Sequence, residues 1–133
     1  MKLLRYVLLL TLTGLLGGQP ALAQAPAPPP PDVTPAQAAK LIRKRQVVVL
    51  DVRTPEEFAA GHLAGARNVN FKGSDFAQQV ATLDTAKTYL LYCASGNRSS
   101  KAATLMREHG VRKVINAGAY KELQATEPQI RTD

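Results

Sequence analysis

Two short apolar runs place strong limits on how this chain can fold. Residues 47–50 (VVVL) and residues 89–92 (YLLY) are apolar without alternation. A strand with this pattern is covered on both faces, which is typical of parallel sheets. Segments with helical spacing lie between and around the two runs, and strands that alternate with helices indicate an α/β fold. We therefore predict a central, mostly parallel sheet of four to five short strands with helices on both faces.

Two threonine residues mark the beginnings of helices. Thr34 and Thr54 are N-cap residues, because each is followed by a proline at the first helical position. Glu57 is placed to complete a capping box with Thr54. Spacing and breakers predict further helices over residues 75–83, 99–109 (closed by Gly110) and 120–123, and further strands over residues 66–69, 88–92 and 111–115.

The N-terminus has the features of an export signal. Lys2 and Arg5 precede an apolar stretch over about residues 6–16, and Ala21-Leu22-Ala23 is a small-x-small cleavage site. The alternative is a membrane anchor, but the stretch is shorter than the ~20 residues that span a bilayer. A periplasmic location is therefore predicted. The predicted divisions are a signal peptide (1–23), a Pro-rich disordered leader (24–33), a folded domain (34–126) and a flexible C-terminal tail (127–133).

The charge of the chain favours small anionic substrates. Its net charge is +7, and without Lys2 and Arg5 there remain 15 basic residues against 10 acidic ones, a net charge of +5. The basic residues are scattered and aromatic residues are few, which does not fit a nucleic-acid-binding protein. His, Cys and acidic residues show no metal-ligand spacing, so neither a metal nor another cofactor is predicted. Nothing indicates a large interface, so we expect a monomer.

Cys93 is the only cysteine, and it lies where a nucleophile is expected. An exported protein with one cysteine has no internal disulfide, so the thiol is either buried and inert or kept for chemistry. Cys93 follows the strand at 88–92 and precedes a helix, and open α/β sheets bind ligands at that edge. The helix start and Arg98 favour a thiolate. Gly96 allows loop amides to turn towards the sulfur, and Ser99 could cap the helix and donate its hydroxyl.

Three stretches resemble the rhodanese family of sulfurtransferases. They are residues 51–69, residues 93–98 (CASGNR) and residues 114–123. The chain is most similar to the small periplasmic single-domain thiosulfate sulfurtransferases of the phage-shock type. The resemblance implies a rhodanese-like fold and a Cys93 persulfide, which is formed from a donor such as thiosulfate. Cyanide or a thiol would then accept the sulfur.

The resemblance also implies roles for individual residues. Arg98 would bind the sulfonate of the donor. The other substrate-binding positions of the loop are Ala94, Ser95, Gly96, Asn97 and Ser99. Structural roles near the site are implied for Asp51, Arg53, Glu57 and His62, with Arg53 and Glu57 as a structural pair. The loop from Cys93 to Arg98 has six residues, one fewer than in related cysteine phosphatases, and this length favours sulfur over phosphate.

Several alternatives stay open at this level. Asp51 could act as a base rather than as a turn residue, and His62 could be catalytic rather than a structural hydrogen bonder. Many family members have a Gly where this chain has Ala119, and often a Trp, which this chain lacks; the pocket rim and the acceptor therefore stay open. A non-enzymatic persulfide carrier or thiol sensor, acting with a partner protein, is the alternative to an enzyme.

Overall fold

The computed structural model describes residues 21–126, so the predicted tail and most of the predicted signal peptide lie outside the described residues. Residues 21–30 are exposed and have no secondary structure. The helices are α1 (Pro35–Arg43), α2 (Pro55–Ala59), α3 (Phe76–Ala81), α4 (Asn97–Glu108) and α5 (Tyr120–Thr126). The strands are β1 (Val48–Asp51), β2 (Arg67–Asn68), β3 (Tyr89–Cys93) and β4 (Val114–Ala119). None of the helices in this range is long and apolar enough to cross a membrane.

Across residues 21–126 the strands form one four-stranded sheet in the order β2-β1-β3-β4. All neighbouring strands are parallel. Leu50 of β1 lies opposite Leu91 of β3, and the β3–β4 register shifts between Leu91 and Tyr92. The carboxyl ends of β1 and β3 are therefore adjacent, and the loops that follow these two strands meet at one edge.

Helices cover both faces of the sheet, as predicted. Tyr89, Leu91 and Cys93 of β3 point to a core cluster that α3 and α4 complete. Leu90 and Tyr92 point to the opposite cluster, which α1 and α5 complete. All five residues of β3 are buried, which explains why its sequence shows no alternation. The predicted α/β fold is confirmed.

Both predicted helix starts are confirmed. The Thr34 hydroxyl accepts a hydrogen bond from the amide of Gln37 (3.2 Å), and the Gln37 side chain accepts one from the amide of Thr34 (2.9 Å). Thr54 and Glu57 form the same reciprocal capping box at α2. The box places the Glu57 side chain at the N-terminus of α2, beside the edge where β1 ends.

Some predicted boundaries are wrong. The last strand is residues 114–119 and not 111–115, because Val111 donates its amide to the carbonyl of Met106 (2.9 Å) and completes the turn after α4. Helix α4 begins at Asn97 rather than at Ser99, and α3 and β2 are shorter than predicted. Gly110, with φ of 92°, ends α4 where the sequence predicts.

The last residues of the predicted leader belong to the folded domain. The amide of Asp32 donates to the carbonyl of Asn116 (2.8 Å), and the amide of Asn116 donates to the Asp32 carboxylate (2.7 Å). Pro31 lies against Gly118, where an added Cβ would come within 3.3 Å of the proline ring. Residues 31–32 therefore pack against β4, which lies at an edge of the sheet and whose backbone groups at Asn116 bond to Asp32.

Candidate active site

Cys93 lies where β3 ends and the short loop to α4 begins. Cys93 ends β3, and Gly96 has φ of 92° directly before the first residue of α4. This left-handed conformation favours glycine. A Cβ on Gly96 would also lie 3.3 Å from the Cα of Gly118. Gly96 is thus required twice, for its dihedral angle and for the close approach of β4.

Hydrogen-bond donors surround the sulfur of Cys93. The amide of Gly96 donates to Sγ at 3.0 Å, and the hydroxyl of Ser99 lies 3.5 Å from Sγ. The same hydroxyl lies 3.1 Å from the carbonyl oxygen of Gly96. Because a hydroxyl carries one hydrogen, Ser99 donates either to the sulfur or to this carbonyl. The prediction that Ser99 caps α4 is wrong, since Gly96 holds the cap position.

These donors lower the pKa of the Cys93 thiol. Burial is the largest single influence and raises the pKa, but the Ser99 hydroxyl and the amides of Ser99, Ser95 and Gly96 together outweigh it. A cysteine that is merely packed in an apolar core has its pKa raised instead. The surroundings of Cys93 therefore favour the thiolate, although the residue has no exposed surface (0 %).

The rest of the loop is arranged around this buried sulfur. Ala94, Ser95 and Asn97 are exposed, Arg98 is half-buried and Ser99 is buried. A reagent can therefore approach the loop from outside but reaches Sγ only after covering groups move.

Arg98 forms an ion pair with Glu57. Its Nη1 and Nη2 atoms donate to the two carboxylate oxygens of Glu57, at 2.7 Å and 2.9 Å. The hydrogen bond from Arg98 is the main cause that lowers the pKa of Glu57 to about 2. Electrostatic attraction between Arg98 and the Cys93 thiolate also raises the pKa of Arg98, after the larger effect of Glu57. The guanidinium thus interacts with both the Glu57 carboxylate and the Cys93 sulfur.

The predicted pair between Arg53 and Glu57 is wrong. Arg53 instead donates from Nη2 to Asp51 (2.6 Å) and to the carbonyl of Gly61 (2.6 Å). Its guanidinium also lies 4.2 Å from the ring centroid of Tyr120. Arg53 precedes α2, so the four-residue spacing to Glu57 does not put both side chains on one helix face.

Asp51 and His62 have structural contacts. The Asp51 carboxylate is fully buried and accepts hydrogen bonds from the amide and side chain of Arg53. His62 stacks on Phe58, with 3.7 Å between ring centroids, and its Nδ1 lies 2.9 Å from the Phe58 carbonyl oxygen. These contacts support the structural interpretation of both residues.

Two supporting residues escaped the sequence analysis. The side-chain amide of Asn68 donates to the carbonyls of Asp51 and Arg53 (3.0 and 2.9 Å) and holds the turn after β1. Gly118 has φ of 88° and backs the active-site loop. Gly118 could have been found, because it lies in the third stretch that resembles the rhodanese family. No local pattern marks Asn68.

Two other features of the described residues lack the groups that catalysis needs. Within residues 21–126, no group of three or more His, Cys, Asp and Glu residues could hold a metal ion. A cavity of about 610 Å³ opens at the amino end of β1, away from Cys93, and its lining contains only apolar residues and arginines. It has no nucleophile or carboxylate, so the candidate active site is the Cys93 loop.

Comparison with known proteins agrees with this geometry. The family description "Rhodanese-like domain" matches residues 34–126. The chain belongs to the rhodanese-like family. The resemblance seen in the three sequence stretches is therefore confirmed.

Relatives within this family have sulfurtransferase names. Thiosulfate sulfurtransferase GlpE of Pseudomonas putida is 38% identical over 98 residues, which cover 72% of this chain and 86% of the relative. Thiosulfate sulfurtransferase PspE of Escherichia coli is 34% identical over 76 residues, covering 56% and 71%. The human single-domain sulfurtransferase TSTD1 shares the fold, with a TM-score of 0.62 at 24% identity over 74% of this chain and 99% of that one.

Proposed function

We propose that this protein transfers a sulfane sulfur from thiosulfate to cyanide or a thiol through a persulfide on Cys93. Membership of the rhodanese-like family and the relatives named thiosulfate sulfurtransferase support the sulfurtransferase class. The observation that carries the mechanism is the set of donors around Sγ, which lowers the pKa of a fully buried thiol.

The proposed reaction has two displacement steps. The Cys93 thiolate attacks the outer sulfur of thiosulfate, an S–S bond forms, and the S–S bond of thiosulfate breaks with its electron pair leaving on sulfite. Cyanide or a thiolate then attacks the outer sulfur of the persulfide. The electron pair of the persulfide S–S bond returns to Cys93 as a thiolate. The cycle needs no second cysteine, and this chain has none.

The loop would stabilise each anionic sulfur in turn. Amides that bond to the thiolate lie within a tight turn, and such turns bind anions. The Ser99 hydroxyl can donate to the sulfur when the sulfur is charged and to the Gly96 carbonyl when it is not. Arg98 supplies a planar pair of donors that fits a sulfonate.

Mass spectrometry tests the proposal. Incubation of the protein with thiosulfate should add the mass of one sulfur atom, and Cys93→Ser should remove both the adduct and turnover with cyanide. Ser100→Ala is the matched control, because it removes a hydroxyl from the next position of α4 and leaves the sulfur and its donors in place. A sulfur adduct on Cys93→Ser would contradict the assignment. A protein that loads once and then does not turn over with cyanide would be a persulfide carrier.

We also propose that the protein is exported and acts as a monomer in the periplasm. The positive residues, apolar stretch and Ala21-Leu22-Ala23 site of the N-terminus support export. The intact mass of protein recovered from the periplasmic fraction should show cleavage after Ala23, and size-exclusion chromatography should give the monomer mass. A full-length protein retained in the cytoplasmic fraction would refute the export.

A further inference from the structure

We propose that Glu57 is a competing anion for the donor site: its carboxylate occupies the guanidinium of Arg98 at rest, and an anionic donor must displace it. This inference deepens the proposed function, in which Arg98 binds the sulfonate of the donor. It makes Glu57 a positioning residue that sets how strongly anionic donors bind Arg98, although it does not touch the reacting sulfur.

The geometry of the pair is the first support. Both terminal nitrogens of Arg98 are bonded to Glu57, one to each carboxylate oxygen (2.7 and 2.9 Å). Two parallel N–H···O bonds are also how an arginine binds the oxygens of a sulfonate or a phosphate. Because the same two nitrogens serve both partners, the Glu57 carboxylate and a donor bound in this way exclude each other.

The position of Glu57 is the second support. Its carboxylate is held in the capping box by the amide and hydroxyl of Thr54, at 3.5 and 3.3 Å. It can therefore release Arg98 and still keep a partner on α2. The pair is partly exposed, with 18% of the Arg98 side chain and 34% of the Glu57 side chain accessible. An anion in solution can therefore reach the guanidinium, and it offers Arg98 the same two bonds that Glu57 gives up.

The burial of the sulfur is the third support. Cys93 has no exposed surface while the pair is closed. Access therefore requires a movement of the groups around the sulfur, and Arg98 lies next to them in the first turn of α4. An anion can bind the guanidinium near the sulfur only when Glu57 has released it, whereas a neutral sulfur compound does not compete for Arg98. Glu57 is therefore expected to slow the reaction of anionic reagents and to leave neutral reagents unaffected.

Two alkylating reagents test the competition without any turnover. Iodoacetate carries a carboxylate that can bind Arg98, and iodoacetamide is its neutral analogue. Both alkylate a thiolate, so the ratio of their rates at neutral pH measures anion recognition and is independent of the thiolate fraction. Glu57→Gln should raise the iodoacetate-to-iodoacetamide ratio by about fivefold. Glu56→Gln removes the same charge from the exposed neighbouring residue and should leave the ratio unchanged.

A double-mutant cycle makes the test decisive. In an Arg98→Gln background, Glu57→Gln should have little effect on the ratio, because the competition needs the guanidinium. Equal acceleration of both reagents by Glu57→Gln would show that the pair only braces the loop, and it would overturn the proposal. If Glu57→Gln does not fold, Glu57→Asp keeps the charge on a shorter side chain and should raise the ratio in the same direction; an unchanged ratio there would also overturn it. If wild-type protein takes up no sulfur from thiosulfate, the proposed function is refuted. The alkylation ratio still tests the competition between Glu57 and an anion for Arg98.

Discussion

Removal of the Ser99 hydroxyl should raise the pKa of the Cys93 thiol. The hydroxyl is buried and lies 3.5 Å from Sγ and 3.1 Å from the Gly96 carbonyl oxygen. We expect the hydroxyl to donate to the sulfur when the sulfur is charged and to the carbonyl when the sulfur is protonated. Ser99→Ala therefore removes a bond from both states, and the change in pKa depends on the difference between the two bonds.

The size of the change follows from the strength of each bond. A hydrogen bond to a charged acceptor contributes about 2 kcal/mol, and one between neutral groups contributes about 1 kcal/mol. The difference of about 1 kcal/mol corresponds to about a fivefold change in the ionisation constant of the thiol. The shift is upward, because the lost donor favours the anion. Below the pKa, the thiolate fraction should therefore fall about fivefold. The amide of Gly96 at 3.0 Å remains and keeps part of the effect.

The assay is the pH dependence of alkylation by iodoacetamide, which reads the thiolate fraction. The midpoint of the wild-type profile should lie below that of an ordinary cysteine, and the midpoint of Ser99→Ala should lie higher. Ser100→Ala removes an equivalent hydroxyl from the next residue of α4 and should leave the midpoint unchanged. An unchanged or lower midpoint in Ser99→Ala would refute the assigned role of the hydroxyl.

Two further predictions concern the backbone around the loop. Gly96→Ala should cost about 1–2 kcal/mol of stability through its left-handed dihedral and should slow alkylation, because the Cβ would lie 3.3 Å from Gly118 and shift the amide that bonds the sulfur. Gly110→Ala is the control in chemical denaturation and alkylation, since Gly110 has the same φ of 92° but open space around its Cβ position. Equal alkylation rates in both variants would contradict the role assigned to the contact between Gly96 and Gly118. Asp32→Ala should lower the free energy of unfolding by about 1–2 kcal/mol, because the buried amide of Asn116 loses its acceptor at 2.7 Å. A urea midpoint equal to that of wild type would show that the segment before residue 34 does not stabilise the domain.

Much of the fold could be predicted because its signals are local. The apolar runs at 47–50 and 89–92 specify strands covered on both faces, and each threonine–proline pair specifies a helix start. The structure confirms both features. The contact between Asp32 and Asn116 could not be predicted from local signals, because the two residues lie 84 positions apart. No pattern within the leader itself reports such a contact.

The position of Cys93 at the end of β3 was likewise determined by the sequence, because a cysteine between a buried strand and a helix start is placed by its immediate neighbours. Only the tertiary structure decided the partners of the charged residues. The sequence spacing suggested that Arg53 pairs with Glu57, but Arg53 lies before α2 and bonds to Asp51 instead. Glu57 and Arg98 meet because β1 and β3 are adjacent and parallel, which brings the loops after both strands to one edge. An ion pair between helices that follow two different strands depends on strand order, and strand order is a property of the whole sheet rather than of any segment.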